Sequence, residues 1–198
     1  MTQDEFKDFP KMARLSSECI ITEKLDGTNA QIYIDENGVV LAGSRNKWIT
    51  PDDDNYGFAA WVESHRDELA LLGPGRHFGE WWGQGIQRKY GMTEKRFSLF
   101  NTIRWCAHDA TPALIANQDP RAEPKYQKHI PACCHLVPVL YRGLFDTIGV
   151  EAALYDLEKH GSCAAPGFMK PEGIIVFHVA GNVGFKKTLG NDGAKGQQ

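Results

Sequence analysis

The chain has 198 residues, with 22 Lys and Arg against 25 Asp and Glu, for a formal charge of −3. That length buries the core of one domain without cross-links, and the charge excludes a strongly basic coat while leaving room for a local basic groove. No stretch approaches the roughly 20 apolar residues of a membrane span, and the acidic start lacks the apolar run of a signal peptide, so a cytoplasmic protein is expected.

Residues 1–17 read as an irregular arm, with Phe6, Phe9 and Met12 able to pack and Lys7, Lys11 and Arg14 turned outward. Strands are expected at 18–24 and 29–35, around a tight connection through Lys24-Leu25-Asp26-Gly27. That connection reads either as an Asp-Gly hairpin turn or as a holder for one amine over a pocket. Asn37-Gly38 signals the next turn, and Val39 to Ala42 return as a strand. The following run, Gly43 to Trp48, can point one basic residue back over the Lys24 turn. Asp52 to Asp54 are N-cap candidates for a helix over 56–72, whose stripe is Phe58, Trp61/Val62, His65, Leu69 and Leu72. His65 reads as a surface or edge histidine, and Gly73-Pro74-Gly75 stops the helix.

An aromatic strand over 76–83 precedes a polar loop through Gly91, and Phe97 to Trp105 reads as a central strand. Residues 108–130 read as a long surface excursion with a basic cluster of Arg121, Lys125, Lys128 and His129. Leu136 to Tyr141 is expected as a strand, and Thr147 to Lys159 as a helix with Ile148, Leu154 and Leu157 inward. After a loop over 161–170, strands follow at 173–177 and 183–187, and the tail from Gly190 frays. Of the five cysteines, Cys19 and Cys106 read as buried thiols of a reducing compartment. His129, Cys133, Cys134 and His135 lack the paired C-x₂-C spacing of structural zinc sites and read as a loop ending in a strand.

Charged residues gather at strand ends and beside glycines: Lys24, Asp26, Arg45, Glu80, Glu172, Lys186 and Lys187. Cations with a few carboxylates suit a polyphosphate and its divalent ion, the first neutralising phosphoryl oxygens and the second holding metal and sugar hydroxyls. A lysine crowded by other cations supplies a neutral amine as nucleophile, and Lys24, ahead of the glycine-closed turn, is the candidate. There is no Gly-x-x-x-x-Gly-Lys-Ser/Thr loop, no Gly-x-Gly-x-x-Gly after a strand, no Gly-x-Ser-x-Gly elbow and no His-Glu-x-x-His helix.

Glu23-Lys24-Leu25-Asp26-Gly27 resembles the Lys-x-Asp-Gly motif of the covalent nucleotidyltransferases, which include RNA ligases, DNA ligases and mRNA capping enzymes. Ser44-Arg45, Phe78-Gly79-Glu80-Trp81, Phe97 to Asn101, Pro171 to Ile175 and Phe185 to Thr188 resemble the later motifs in order. Phe-Gly-Glu-Trp and Thr28-Asn29 are similar to the ATP-dependent RNA ligases of the phage T4 RNA ligase 2 type. The resemblance implies an α+β fold of two antiparallel sheets with helices outside and the nucleotide between them. One nucleotidyltransferase unit over 1–189 and a monomer are expected; only some ten residues follow the last motif, so the chain is expected to depart from the family in having no OB or C-terminal helical domain.

By the same resemblance Lys24 takes AMP from ATP with Mg²⁺ or Mn²⁺, passes it to a 5′-phosphate end, and a 3′-hydroxyl then seals nicked or broken RNA. Glu23 would contact adenine through its backbone, Phe100 would stack on the base, Glu80 would bind the ribose, and Arg45 would reach sugar or phosphate. Glu172 would hold the metal, Lys186 and Lys187 would serve the α-phosphate, and Asp26 would fix the turn and assist sealing. Strand alternation lets only one of the two lysines face the phosphate, and Lys186 is favoured. Asn101 departs from the family's usual Asp, and Lys-Lys-Thr from its Lys-x-Lys. The arm, Arg88-Lys89, Lys95-Arg96 and the 121–129 cluster remain as contacts to nucleic-acid phosphates. A minimal DNA ligase acting on DNA or hybrid ends stays open, as do a capping guanylyltransferase, a protein AMP-transferase and a non-catalytic end-binding module.

Overall fold

Cys19 to Ile21 is a continuous apolar run and Cys19 to Glu23 are all buried, as in a strand covered from both sides, and the segment forms β1 (Glu18–Lys24) inside a sheet. The structure is a computed structural model and describes residues 7–105 and 130–190. β1 pairs antiparallel with β8 (Val139–Leu144) on one side and β9 (Gly173–His178) on the other, and β10 (Val183–Thr188) completes this four-stranded sheet in the order β10-β9-β1-β8.

The second sheet holds β2 (Thr28–Ile34), β3 (Val40–Ser44), β4 (Trp48–Ile49), β5 (Gly75–Gly83), β6 (Lys95–Leu99) and β7 (Cys134–Leu136). Its order is β4-β3-β2-β5-β6-β7, six strands with β7 added in parallel to β6. The expected pair of antiparallel sheets therefore stands, apart from that one parallel edge. β1 and β2 lie in different sheets, so Lys24 to Gly27 is a crossover and not a hairpin turn. Gly27 is required there by crowding: a Cβ would lie 2.4 Å from the Trp81 carbonyl oxygen.

Helices cover the outer faces. α1 (Phe58–Ser64), α2 (Arg66–Leu69) and a 3₁₀ turn over Ala70–Leu72 bury Phe58, Val62, Leu69 and Leu72 against Trp81 and Phe97 of the six-stranded sheet. Asp54 caps this run, its carboxylate accepting from the amides of Ala59 and Ala60, at 2.7 and 3.0 Å. The single helix expected over 56–72 is broken at His65, whose φ of −114° ends α1 and whose ring stacks on Trp61. α4 (Thr147–His160) packs Val150, Ala153, Leu154 and Leu157, an i, i+3, i+4, i+7 stripe, on the four-stranded sheet. Ile148 falls off that stripe and is 80% exposed, contrary to the inward position expected for it.

Two strand expectations are also corrected. The strand expected through Trp105 stops at Leu99, because Asn101 Oδ1 accepts the Arg104 amide and starts the single helical turn α3 (Thr102–Trp105). The strand expected over 136–141 is two strands, one in each sheet, separated at Val137-Pro138, where proline has no amide to give a ladder. The arm is irregular as expected from residue 7 onward, but Phe9 and Met12 are exposed, and among the described residues Leu15 and Ser17 tie it down through their carbonyls. Phe6, Cys106, His129, the 108–129 excursion with its basic cluster, and the tail from 191 lie outside the described residues. No helix among the described residues is long and apolar enough to cross a membrane.

Candidate active site

A cleft of about 1000 Å³ opens between the two sheets, and β1 delivers Lys24 to it at the point where the chain changes sheet. Three segments fix that crossover. Glu23, 1% exposed, turns its carboxylate away from Lys24 and accepts from Ser162 Oγ and the amides of Cys163 and Ala164, at 2.6, 2.8 and 3.0 Å. The Asp26 amide donates to the Tyr90 hydroxyl at 2.9 Å, and the Gly27 amide to Glu80 Oε1 at 3.0 Å. Beneath them Leu25, Trp82, Tyr90, Val137 and Ala165 form a small apolar cluster that gives the turn a solid floor.

Lys24 forms an ion pair with Glu172, which stands one residue before β9. Gly173 beside it has a φ of +150°, and a Cβ there would collide with the Lys187 carbonyl, so glycine is what lets β9 start this close to β10. The partner of Lys24 is thus a carboxylate and not the ring of cations expected to crowd it. Asp26 is paired in turn with Arg88, Nε to Oδ2 at 2.9 Å.

Glu80 lies across the cleft on β5, 7% exposed, its second oxygen accepting from Asn29 Nδ2 at 3.2 Å. Burial pushes its carboxyl up to about 7; the Gly27 amide and Lys24 pull it back, and the negative charges of Glu172 and Asp26 push it further up. Tyr90 is also raised, chiefly by burial, so its hydroxyl stays protonated. His77 lines the same cleft, and burial lowers its pKa; it is 3% exposed and bonds the Gly73 carbonyl through Nε2.

Of the residues singled out from sequence, Glu23, Lys24, Asp26, Arg45, Glu80, Phe100 and Lys186 all line this cleft. Glu172 joins them through Lys24. Lys187 does not: it sits on the opposite face of β10 and pairs with Glu151 of α4, which matches the alternation that favoured Lys186. Glu23 enters as a buried tether, and its own amide is taken by the Pro138 carbonyl at 3.0 Å. Arg88, Lys95 and Arg96 are engaged within the protein, by Asp26, the Tyr56 carbonyl and Glu94 respectively. Sequence reasoning passed over Tyr90 and Ser162; both act through tertiary hydrogen bonds that no local pattern announces.

Donor chemistry supports a divalent ion bound together with phosphate. Asp26, Glu80 and Glu172 supply hard oxygens around Lys24, and Glu172 Oε2 is buried with no hydrogen-bond partner besides that ion pair. Among the described residues no group of three or more His, Cys, Asp or Glu could hold a metal unaided. Magnesium-like ions commonly take one or two carboxylates and complete their shell with water and phosphate oxygens, which these residues fit.

Comparison with known proteins agrees with the geometry. Solved structures of Naegleria gruberi RNA ligase share the fold. An apo variant aligns with a TM-score of 0.54 at 18% identity over 87% of this chain and 50% of that one. A variant with AMP and manganese gives 0.52 at 17% over 88% and 50%, and one with ATP and manganese 0.52 at 16% over 88% and 50%. The chain therefore spans about half the length of these ligases. No curated protein matches it. The family model for RNA ligase matches residues 17–187, which is nearly all of the described fold and every residue of the cleft named above, and the chain belongs to the RNA ligase family.

Proposed function

We propose that this chain is the nucleotidyltransferase unit of an ATP-dependent RNA ligase, working through AMP carried on Lys24. The observation that carries this reading is the single lysine held at the sheet crossover, framed by Glu172, Asp26 and Glu80 and faced by Lys186 and Arg45 across one cleft. Lys24 Nζ attacks the α-phosphorus of ATP, the new bond is N–P, and pyrophosphate leaves. To do so the amine must lose its proton and part from Glu172. Lys186 and Arg45 neutralise phosphoryl oxygens, Phe100 offers its half-exposed ring to the base, and Glu80 accepts from ribose hydroxyls. A magnesium or manganese ion, held by Glu172 and phosphate, would offset charge on those oxygens.

The AMP then moves to a 5′-phosphate, and a 3′-hydroxyl displaces it to join the ends. Family membership favours RNA ends, with DNA or hybrid ends the second reading. The chain is proposed to act as a monomer in the cytoplasm, a setting consistent with the free thiols Cys19, Cys133, Cys134 and Cys163.

Intact mass after incubation with ATP and Mg²⁺ or Mn²⁺ tests the reading. A gain of one AMP is expected with ATP and none with GTP, and Lys24→Ala should abolish it. An adduct that survives that substitution assigns the chemistry to another residue.

A further inference from the structure

The loop between β5 and β6 places three non-glycine residues in the left-handed region: Gln87 at φ 43°, Lys89 at 61° and Tyr90 at 49°. Side chains seldom adopt that conformation, and where it persists surrounding contacts hold it, often at functional sites. Here the strain brings two side chains onto the Lys24 crossover. Tyr90 receives the Asp26 amide. Arg88, between the strained residues, donates Nε to Asp26 Oδ2 at 2.9 Å and Nη1 to the Lys170 carbonyl at 3.1 Å.

Lys170 stands two residues before Glu172, so Arg88 ties the turn bearing Lys24 to the segment bearing its ion partner. A guanidinium has five N–H donors, and these contacts use two. The side chain is 38% exposed, beside a carboxylate that lines the cleft. A forked cation with donors to spare at that position suits two-point recognition of a phosphate.

We propose that Arg88 recognises the terminal 5′-phosphate of the nucleic-acid end, exchanging Asp26 for that phosphate as the end arrives. The proposal rests on the ligase reading above. Before the end binds, the pair keeps Asp26 neutralised and the crossover fixed. A phosphate dianion carries more charge and more acceptor oxygens than one carboxylate, so it takes the fork and leaves Asp26 free inside the cleft. Arg88 is thus a specificity residue for the nucleic-acid end.

The test compares binding of one nicked RNA duplex carrying either 5′-phosphate or 5′-hydroxyl at the nick, by fluorescence anisotropy, in wild type and Arg88→Ala. AMP adduct formation is followed in parallel by intact mass. Wild type should prefer the phosphate by about tenfold, the worth of one charge-assisted contact. Arg88→Ala should lose most of that preference while the ATP concentration for half-maximal adduct formation stays within about threefold, well below the same contact. Arg88→Gln, of similar shape without the charge, guards against a misfolded alanine variant and should behave alike.

An undiminished preference in either variant overturns the proposal. So does a preference left intact while the half-saturating ATP rises, which puts Arg88 on the ATP tail. Joint loss of adduct formation and of binding to both duplexes in both variants reduces Arg88 to support of the fold and overturns it too. A wild type that prefers 5′-phosphate yet never joins ends would sink the ligase reading and leave this one standing.

Discussion

Glu80 carries the clearest electrostatic signature of the cleft. Its carboxyl is raised from 4.5 to about 7, so between those values the folded chain holds a proton that the unfolded chain has released. Stability tied to this group is fully present below the lower value and is lost as pH rises through the upper one, by up to about 3 kcal/mol at 1.36 kcal/mol per unit. Glu80→Gln should flatten that stretch, since the Asn29 amide can turn to offer its oxygen in place of its donor. Urea unfolding of both proteins at pH 5 and pH 8 measures this; parallel pH dependences would show that Glu80 is not the titrating group. At this scale the sequence was informative where a residue works where it stands. Lys24 ends a strand, Arg45 follows one, Glu80 and Lys186 lie within strands, and the motif order singled them out. Arg88 was legible as one of several candidate contacts to nucleic-acid phosphate but not as the partner of Asp26, which is 62 residues away, and neither Gln87, Lys89 nor Tyr90 is a residue type that signals positive φ.

β10 shows what a period of two can decide. Lys186 points into the cleft and Lys187 to α4, so the adjacent lysines should part company in function. Lys186→Ala should cut AMP adduct formation by at least about tenfold, the worth of a charge-assisted contact at phosphate. Lys187→Ala removes a half-exposed ion pair worth about 1 kcal/mol or less and should leave the adduct rate near wild type. Adduct rates from single-turnover mass measurements separate the two, and equal losses would contradict the facing assigned here. Elements whose ends are marked by their own residues were readable: β1, β5, β9 and α4 lie within a residue or two of expectation. Those ended by tertiary partners were not. Phe97 to Trp105 has strand composition throughout, yet the ladder gives its last bond from the Phe100 amide to the Phe78 carbonyl, and Asn101 then caps a helical turn. Val137-Pro138 sits in an apolar run, and only the two-sheet topology shows that the run is shared between sheets.

For the whole molecule, a nucleotide between the sheets touches both and binds only when both are formed. Nucleotide should therefore stabilise the fold, by about 2.7 kcal/mol at one hundred times its dissociation constant. For a chain of this size that is a rise in melting temperature of roughly 5–10 °C. Lys24→Ala with ATP, in which no covalent adduct can contribute, is the protein to melt; an unmoved transition would show that the folded chain does not hold the nucleotide at that concentration. The α+β class and the paired sheets followed from the motif resemblance. The crossover at Lys24 did not, since a Lys-x-Asp-Gly stretch between two strands reads equally well as a hairpin until pairing partners are known.

Those pairing partners also set a timetable. β2 pairs with β3 and β5, and β5 with β6, all available to a nascent chain as soon as Leu99 has emerged. β1, made before any of them, must wait for β8 and β9, with Cys19, Ile20 and Ile21 uncovered meanwhile. Non-local pairing of this kind is slow and leaves apolar surface exposed during synthesis. AMP on Lys24 would then mark a molecule in which β1 has found both β8 and β9.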